Sequence, residues 1–213
     1  MTAGAEEGAG PELRDAERRW PVAGRPRRLR GAFVTLRTDK VRMPDGDVAT
    51  RDVLEHPGAV AIVALDDAGR VLLIQQYRHP VQRLLWEIPA GLRDVAGEPL
   101  LVTGERELRE ETGYAARTWH LLADWYPSPG ISTERVRVFL ARDLAEVPAP
   151  ARGPALRHEE AYLRSAWVTL ERAVHLFLAG ELHNGVAAVG ILTAYAAKQG
   201  GFATLREAGA SED

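Results

Sequence analysis

A run of acidic residues near the middle of the chain limits most strongly how this sequence can fold. The stretch GERELREETGY, residues 104–114, contains four glutamates, and Glu107 is followed by Glu110 and Glu111 at spacings of three and four residues. In a helix these spacings place three carboxylates on one face within about a turn. Each like-charge pair at such a spacing costs a helix about 0.2–0.5 kcal/mol. The cluster is therefore either a solvated charged face or a site that binds cations.

The other side of the same segment is suited to a protein core. Leu101, Gly104 and Leu108 recur at helical spacing and form one stripe. Gly113 stands where a glycine commonly ends a helix. We therefore predict a helix over residues 99–112 that buries this stripe and presents the glutamates on its opposite face.

Segments with strand character surround this helix. Before it, residues 32–55 alternate apolar and polar types around a PDGD turn, and two β-branched runs flank the turn DDAG as in a hairpin. After it come two runs separated by PSPGIST, a strand within residues 161–170, and helices near residues 171–179 and 185–198. This order predicts an α+β domain with a mixed sheet between helical layers.

The chain divides by composition into four segments. The first thirty residues show no periodicity, which predicts a mobile arm or a lightly structured start, and the last ten are polar and expected to be frayed. The predicted boundaries are a flexible N-terminal arm at 1–30, a small antiparallel β-subdomain at 31–56, a main domain at 57–203 and a polar tail at 204–213.

The overall composition argues against several classes of protein. Of the 213 residues 46% are hydrophobic, and a net charge of −3 gives no reason to expect nucleic acid or an anionic membrane as a partner. The chain has no cysteine, so it has no disulfide and no thiolate metal site. It also lacks a signal peptide and an apolar run of roughly 18 residues that could span a membrane. We therefore expect a soluble, cytoplasmic protein.

The acidic helix belongs to a longer motif that resembles the Nudix box. The matching residues are Gly91, Glu98, Arg106, Glu107, Glu110, Glu111 and Gly113. Six residues separate Gly91 from Glu98, where the usual pattern has five, but the extra residue falls in a loop, where lengthening costs little. The resemblance implies the Nudix fold, an α/β/α sandwich with a mixed β-sheet, here preceded by the small N-terminal β-subdomain.

The resemblance also implies a metal site. Carboxylate oxygens suit Mg²⁺, with Mn²⁺ as the second choice, and two or three ions would neutralise both the acidic face and a diphosphate substrate. The metal ligands that it assigns are Glu107, Glu110, Glu111 and the backbone carbonyl of Ala90. Gly91, Glu98, Arg106 and Gly113 are assigned structural roles. Arg106 is expected to pair with Glu98, and direct contact of Glu98 with a metal is the alternative.

Similarity outside the box narrows the choice of substrate. The segments EHPGAVAIVAL, VLLIQQYRHPV, LLWEIPAGL and WYPSPGISTE look like the ADP-ribose pyrophosphatase branch, of the actinobacterial type that shares the GLxDVAGE insertion. In this branch a proline follows the box by some fifteen residues, as Pro129 follows Tyr114 here. The resemblance covers about residues 32–198 and implies hydrolysis of ADP-ribose to AMP and ribose 5-phosphate.

The same resemblance assigns substrate-binding positions. Arg51 and Arg78 match arginines that contact the substrate, since guanidinium groups suit phosphate and ribose oxygens and can stack on a base. For Arg51 a solvated strand residue is the alternative. Glu87 is placed in the site wall, or else paired with an arginine. The other assigned positions are Leu92, Ser128, Pro129, Gly130 and Glu134.

The general base is expected in the segment RHEEAYL, residues 157–163, which is similar to the family's HEEAD-like loop. Glu159 is the first choice and Glu160 the second, and Tyr162 stands where the family has an aspartate. Two loop glutamates exposed to water are the alternative. No histidine has the spacing of a metal pair, so we expect surface or structural roles for His56, His79, His120, His158, His175 and His183.

Two other functions and one assembly remain to be considered. The chain could act on GDP-mannose, ADP-glucose, NADH or FAD, or it could be a non-catalytic ADP-ribose sensor, which the full glutamate set disfavours. Two or three strands such as those in residues 32–55 are marginal alone in water. The resemblance implies that they are exchanged in a homodimer, and packing on the chain's own catalytic domain is the alternative.

Overall fold

The structure, a computed structural model, describes residues 13–153 and 162–212. Three helices are present in these ranges: α1 (Leu100–Thr112), α2 (Leu170–Leu178) and α3 (Gly185–Gln199). The strands are β1 (Val22–Arg30), β2 (Thr35–Arg42), β3 (Val48–Glu55), β4 (Ala59–Ala64), β5 (Arg70–Arg78), β6 (Arg83–Glu87), β7 (Ala90–Leu92), β8 (Tyr114–Trp125), β9 (Val136–Glu146), β10 (Arg164–Thr169) and β11 (Arg206–Glu207). No helix in the described ranges is long and apolar enough to cross a membrane.

A mixed five-stranded sheet forms the centre of the fold, in the order β11-β8-β9-β4-β7. Strands β4 and β9 run parallel, and the other neighbours are antiparallel. Alternate residues of β4 serve two cores: Val60 and Ile62 pack with Leu108 of α1, whereas Ala61 and Val63 pack with α2 and α3. The predicted α/β/α arrangement of an α+β protein is therefore confirmed.

A second, antiparallel sheet in the order β10-β5-β6 carries one wall of the site. Residues 71–74 of β5 are apolar and buried. The same strand then becomes polar at Gln76 and Arg78, which share one face because side chains alternate along a strand. The buried half of β5 anchors the polar half at a fixed position.

The N-terminal sheet is larger than the sequence predicted. We expected a flexible arm up to residue 30, but Val22–Arg30 forms β1 and pairs with β2 in the sheet β1-β2-β3. The expected arm and the boundary at residue 31 are therefore wrong for this part. The segment VAGRPRRLR shows no apolar alternation, because backbone pairing rather than a buried side-chain face holds it. Residues 1–12 lie outside the described range.

The tail beyond residue 203 is docked, whereas we expected it to be frayed. Strand β11 pairs with β8. Arg137 of β9, which is only 4% exposed, donates to the carbonyl oxygens of Ala210 and Ser211 at 2.7 and 2.9 Å. Glu212 accepts two hydrogen bonds from Arg93. Polar composition alone does not reveal such partners, which are distant in sequence.

Candidate active site

A cavity of about 800 Å³ lies between α1, β7, the β5–β6 hairpin and the start of α3. The three glutamates of the acidic helix face line it, and Arg78, Glu87 and Glu134 lie in the same wall. The sequence segments that carried the motif therefore meet at one site.

The start of β7 brings the backbone against the acidic face of α1. The amide of Ala90 donates to Glu111 Oε2 at 3.0 Å. A Cβ atom added to Gly91 would overlap the carboxylate of Glu107, so only glycine permits this approach. Ala90, Gly91 and two of the glutamates are consequently held together before any ligand binds.

Arg106 connects the charged groups of the box. Its guanidinium donates to Glu98 Oε2 at 3.2 Å and to Glu107 Oε1 at 2.6 Å, and it lies 3.6 Å from Glu110 Oε2. Burial lowers the pKa of Arg106, but the hydrogen bond to Glu98 and the charge of Glu107 outweigh this and raise it overall. Glu98 also accepts from the Thr103 hydroxyl at 2.8 Å, and the bonds from Arg106 and Thr103 lower the pKa of Glu98.

The donor set fits a hard divalent cation. It consists of carboxylate oxygens from Glu107, Glu110 and Glu111, and Ala90 also lines the cavity. Within the described ranges no three such groups already stand close enough to form a metal-binding cluster. Arg106 engages Glu107 and lies near Glu110, so its guanidinium partly neutralises these two carboxylates.

A buried ion pair holds the arginine of the β5–β6 hairpin. Arg78 donates to both carboxylate oxygens of Glu87, at 2.9 Å from Nε and 2.6 Å from Nη2. Glu87 is only 3% exposed, whereas the Arg78 side chain is 43% exposed and faces the cavity. Glu87 therefore lies in the site wall and is also paired with an arginine, so both positions considered for it are observed, and it fixes Arg78 where an anionic ligand could reach it.

The loop PSPGIST is attached to the N-terminal sheet. Leu54 at the end of β3 donates to the carbonyl of Ile131 and accepts from the amide of Thr133. Glu134 lines the cavity at the end of this loop, 4.0 Å from His56 Nε2. His56 Nδ1 accepts from the amide of Gly58, which orients the ring. The N-terminal sheet therefore positions one edge of the site.

The structure does not bring every assigned residue to the cavity. Arg51 is exposed on β3, where its guanidinium donates to the carbonyl of Thr50, and it does not line the cavity formed by this chain. Leu92 lines the cavity, but Ser128, Pro129 and Gly130 do not. Gly113 ends α1 with a φ of 74°. Glu159 and Glu160 lie outside the described residues.

The lining residues that were not predicted from the sequence include Phe33, His56, Gln76 and Asn184. The period of two along β5 could have identified Gln76, because it lies two positions from Arg78 and so shares its face. Asn184 caps α3 by accepting from the amide of Ala187. No local pattern marks Phe33 or His56, since their position depends on how the N-terminal sheet docks.

Comparison with known proteins agrees with the family resemblance seen in the sequence. The model of the NUDIX domain family matches residues 55–188. An ADP-ribose pyrophosphatase of Mycobacterium tuberculosis is 49% identical over 170 residues, 80% of each chain. An ADP-ribose pyrophosphatase of Bacillus subtilis is 35% identical over 161 residues, 76% of this chain and 84% of that protein. A solved structure of an ADP compounds hydrolase superposes with a TM-score of 0.73 at 17% identity, covering 88% of this chain and 98% of that one, and supports the fold.

Proposed function

The chain belongs to the NUDIX family, and from this membership and the site we propose that it hydrolyses the diphosphate bond of ADP-ribose to give AMP and ribose 5-phosphate. The observation that carries the proposal is the joint position of the three box glutamates and Arg78 in one cavity. The identity with two ADP-ribose pyrophosphatases supports the choice of substrate.

The residues of the site have different roles toward such a substrate. Arg78, fixed by Glu87, can bind a phosphate oxygen and orient the diphosphate. Nudix hydrolases depend on divalent metal ions, and such ions polarise the attacked phosphorus and lower the pKa of water when they are bound. Glu107, Glu110 and Glu111 would hold them, with Mg²⁺ preferred, Mn²⁺ accepted and two or three ions per site. Gly91 and Arg106 keep these carboxylates in place.

We keep Glu159 as the proposed general base, with Glu160 as the second choice. Support comes from Gly153, six residues before Glu159, because a Cβ there would lie 2.9 Å from Glu110 Cγ. The chain therefore passes directly beside a proposed metal ligand shortly before this segment. Glu159→Gln is expected to lower kcat by about a hundredfold or more with little change in substrate binding. A loss confined to Glu160→Gln would assign the base to Glu160, and no loss in either variant would refute both assignments.

We also propose that the protein acts as a homodimer in the cytoplasm. Leu29 and Phe33 of the N-terminal sheet are 70% and 60% exposed, and Val81 and Leu84 of the β5–β6 hairpin are 55% and 62% exposed. Burying such side chains against a second copy would be favourable. An exchange of N-terminal strands would also let Arg51, which does not line the cavity of its own chain, reach the site of the other subunit.

A panel of nucleoside diphosphates tests the substrate assignment. With Mg²⁺ present, kcat/KM for ADP-ribose should exceed that for GDP-mannose, ADP-glucose, NADH and FAD. A higher value for any of these four would reassign the substrate while retaining the reaction class. Tight binding of ADP-ribose without turnover would instead identify a sensor.

A further inference from the structure

Gln76 of β5 is a buried polar residue in the cavity wall that the mechanism above does not use. It is 6% exposed and lines the cavity. It lies two residues from Arg78 on the same face of β5, and its partner across the hairpin is Leu85. Its side chain makes no hydrogen bond to any other described residue, in contrast to the Arg78–Glu87 pair beside it.

The amide of Gln76 is directed at the cavity rather than enclosed in the protein. The buried side-chain nitrogen and oxygen atoms that lack a partner in the described ranges belong to other residues. An amide with no protein partner is therefore accessible from the cavity. An apolar side chain would fill the same space without a polar group to satisfy. This arrangement indicates a hydrogen-bonding ligand.

The chemistry of an amide narrows the class of ligand group. It carries two donors and an acceptor oxygen but no charge. In the proposed function the charge of the diphosphate is already neutralised by Arg78 and by the cations held by the acidic face. An uncharged group that both donates and accepts matches the amide better, and a sugar hydroxyl and the edge of a nucleobase both have this property.

We propose that Gln76 determines specificity by hydrogen bonding to an uncharged donor–acceptor group of the nucleoside diphosphate, either a sugar hydroxyl or a base edge. This inference rests on the proposed function. A site that hydrogen bonds to such a group discriminates against analogues that lack it, because the protein group is then left unpaired.

The test compares Gln76→Leu with the matched control Gln75→Leu, since Gln75 lies next to it on the opposite face of β5. The substrates are ADP-ribose, analogues of ADP-ribose that each lack one sugar hydroxyl, and nucleoside diphosphate riboses in which another base replaces adenine. For ADP-ribose, Gln76→Leu should lower kcat/KM at least about tenfold, without lowering the melting temperature, and Gln75→Leu should leave kcat/KM unchanged. For the analogue that lacks the group contacted by Gln76, wild type and Gln76→Leu should have the same kcat/KM. The identity of that analogue shows whether the contacted group belongs to a sugar or to the base.

An equal penalty across all analogues, or no penalty for any of them, would overturn the assignment. If Gln76→Leu melts at a lower temperature than the wild type, Gln76→Met, which keeps the side-chain length, takes its place. If the wild type does not hydrolyse ADP-ribose, the proposed function fails, and the same analogues are then compared by calorimetric binding. Analogue-dependent loss of affinity in Gln76→Leu would still support the inference, and uniform affinity would refute it.

Discussion

At the scale of single residues, Glu111 combines a structural and a chemical role. Its carboxylate accepts from the amide of Ala90 and lines the cavity. Glu111→Gln keeps an acceptor for that bond but removes the charge that a divalent cation requires. We predict that kcat falls by about a hundredfold or more while the melting temperature is maintained, measured by steady-state hydrolysis and thermal unfolding.

Glu105→Gln is the matched control for this prediction. Glu105 lies on the same helix but is exposed, and it does not line the cavity. Its substitution should leave kcat unchanged. Full activity in a folded Glu111→Gln protein would show that Glu111 is not a metal ligand.

Sequence patterns predicted the acidic face well but its partners poorly. The spacing of the glutamates is a local helical property, so it could be recognised without the fold. The pairing of Arg78 with Glu87 could be stated only as an alternative, because it depends on the register of the β5–β6 hairpin. The cavity position of His56 depends on contacts between distant segments, so no local pattern predicts it.

At the scale of elements, helix α1 was predicted within one residue, because its apolar stripe and terminal glycine are strong local signals. Helices α2 and α3 also lie within one residue of their predicted limits. Strand β1 and the docked tail were missed, since β1 is held by backbone pairing with β2 and the tail is held by pairing with β8 and by arginines distant in sequence. Composition cannot report such long-range partners.

The docked tail leads to a prediction about stability. Arg137 is buried with Asp124, at 2.8 Å from Nε to Oδ1, and its remaining donors bond to the tail carbonyls. Deletion of residues 208–213 removes these acceptors. The guanidinium of Arg137 is then either exposed to water or left buried with unpaired donors. We expect a loss of about 1–3 kcal/mol, which corresponds to a fall in melting temperature of several degrees.

Differential scanning calorimetry measures this effect, with Glu207→Gln as a control on an exposed residue of the same tail. The control should melt like the wild type. A truncated protein with an unchanged melting temperature would show that the tail contributes nothing to the stability of β9.

At the scale of the whole molecule, the N-terminal sheet connects assembly with activity. Its strand β3 holds the PSPGIST loop, and Phe33 packs edge-to-face on His56 at a centroid distance of 5.8 Å. We predict that the full chain is a dimer by light scattering and that deletion of residues 1–55 gives an insoluble or inactive protein. Deletion of residues 1–12 alone should leave the dimeric state and the activity unchanged. A fully active monomer at assay concentration would contradict the proposed exchange.

The proposed hydrolysis is tested most directly by identifying the products by mass spectrometry after incubation of the full chain with ADP-ribose and Mg²⁺. We predict equal amounts of AMP and ribose 5-phosphate, with hydrolysis abolished by a chelator and restored by excess Mg²⁺, because the acidic face of α1 needs cations to act on a diphosphate. Intact ADP-ribose under these conditions, or hydrolysis that persists undiminished in chelator, would contradict it.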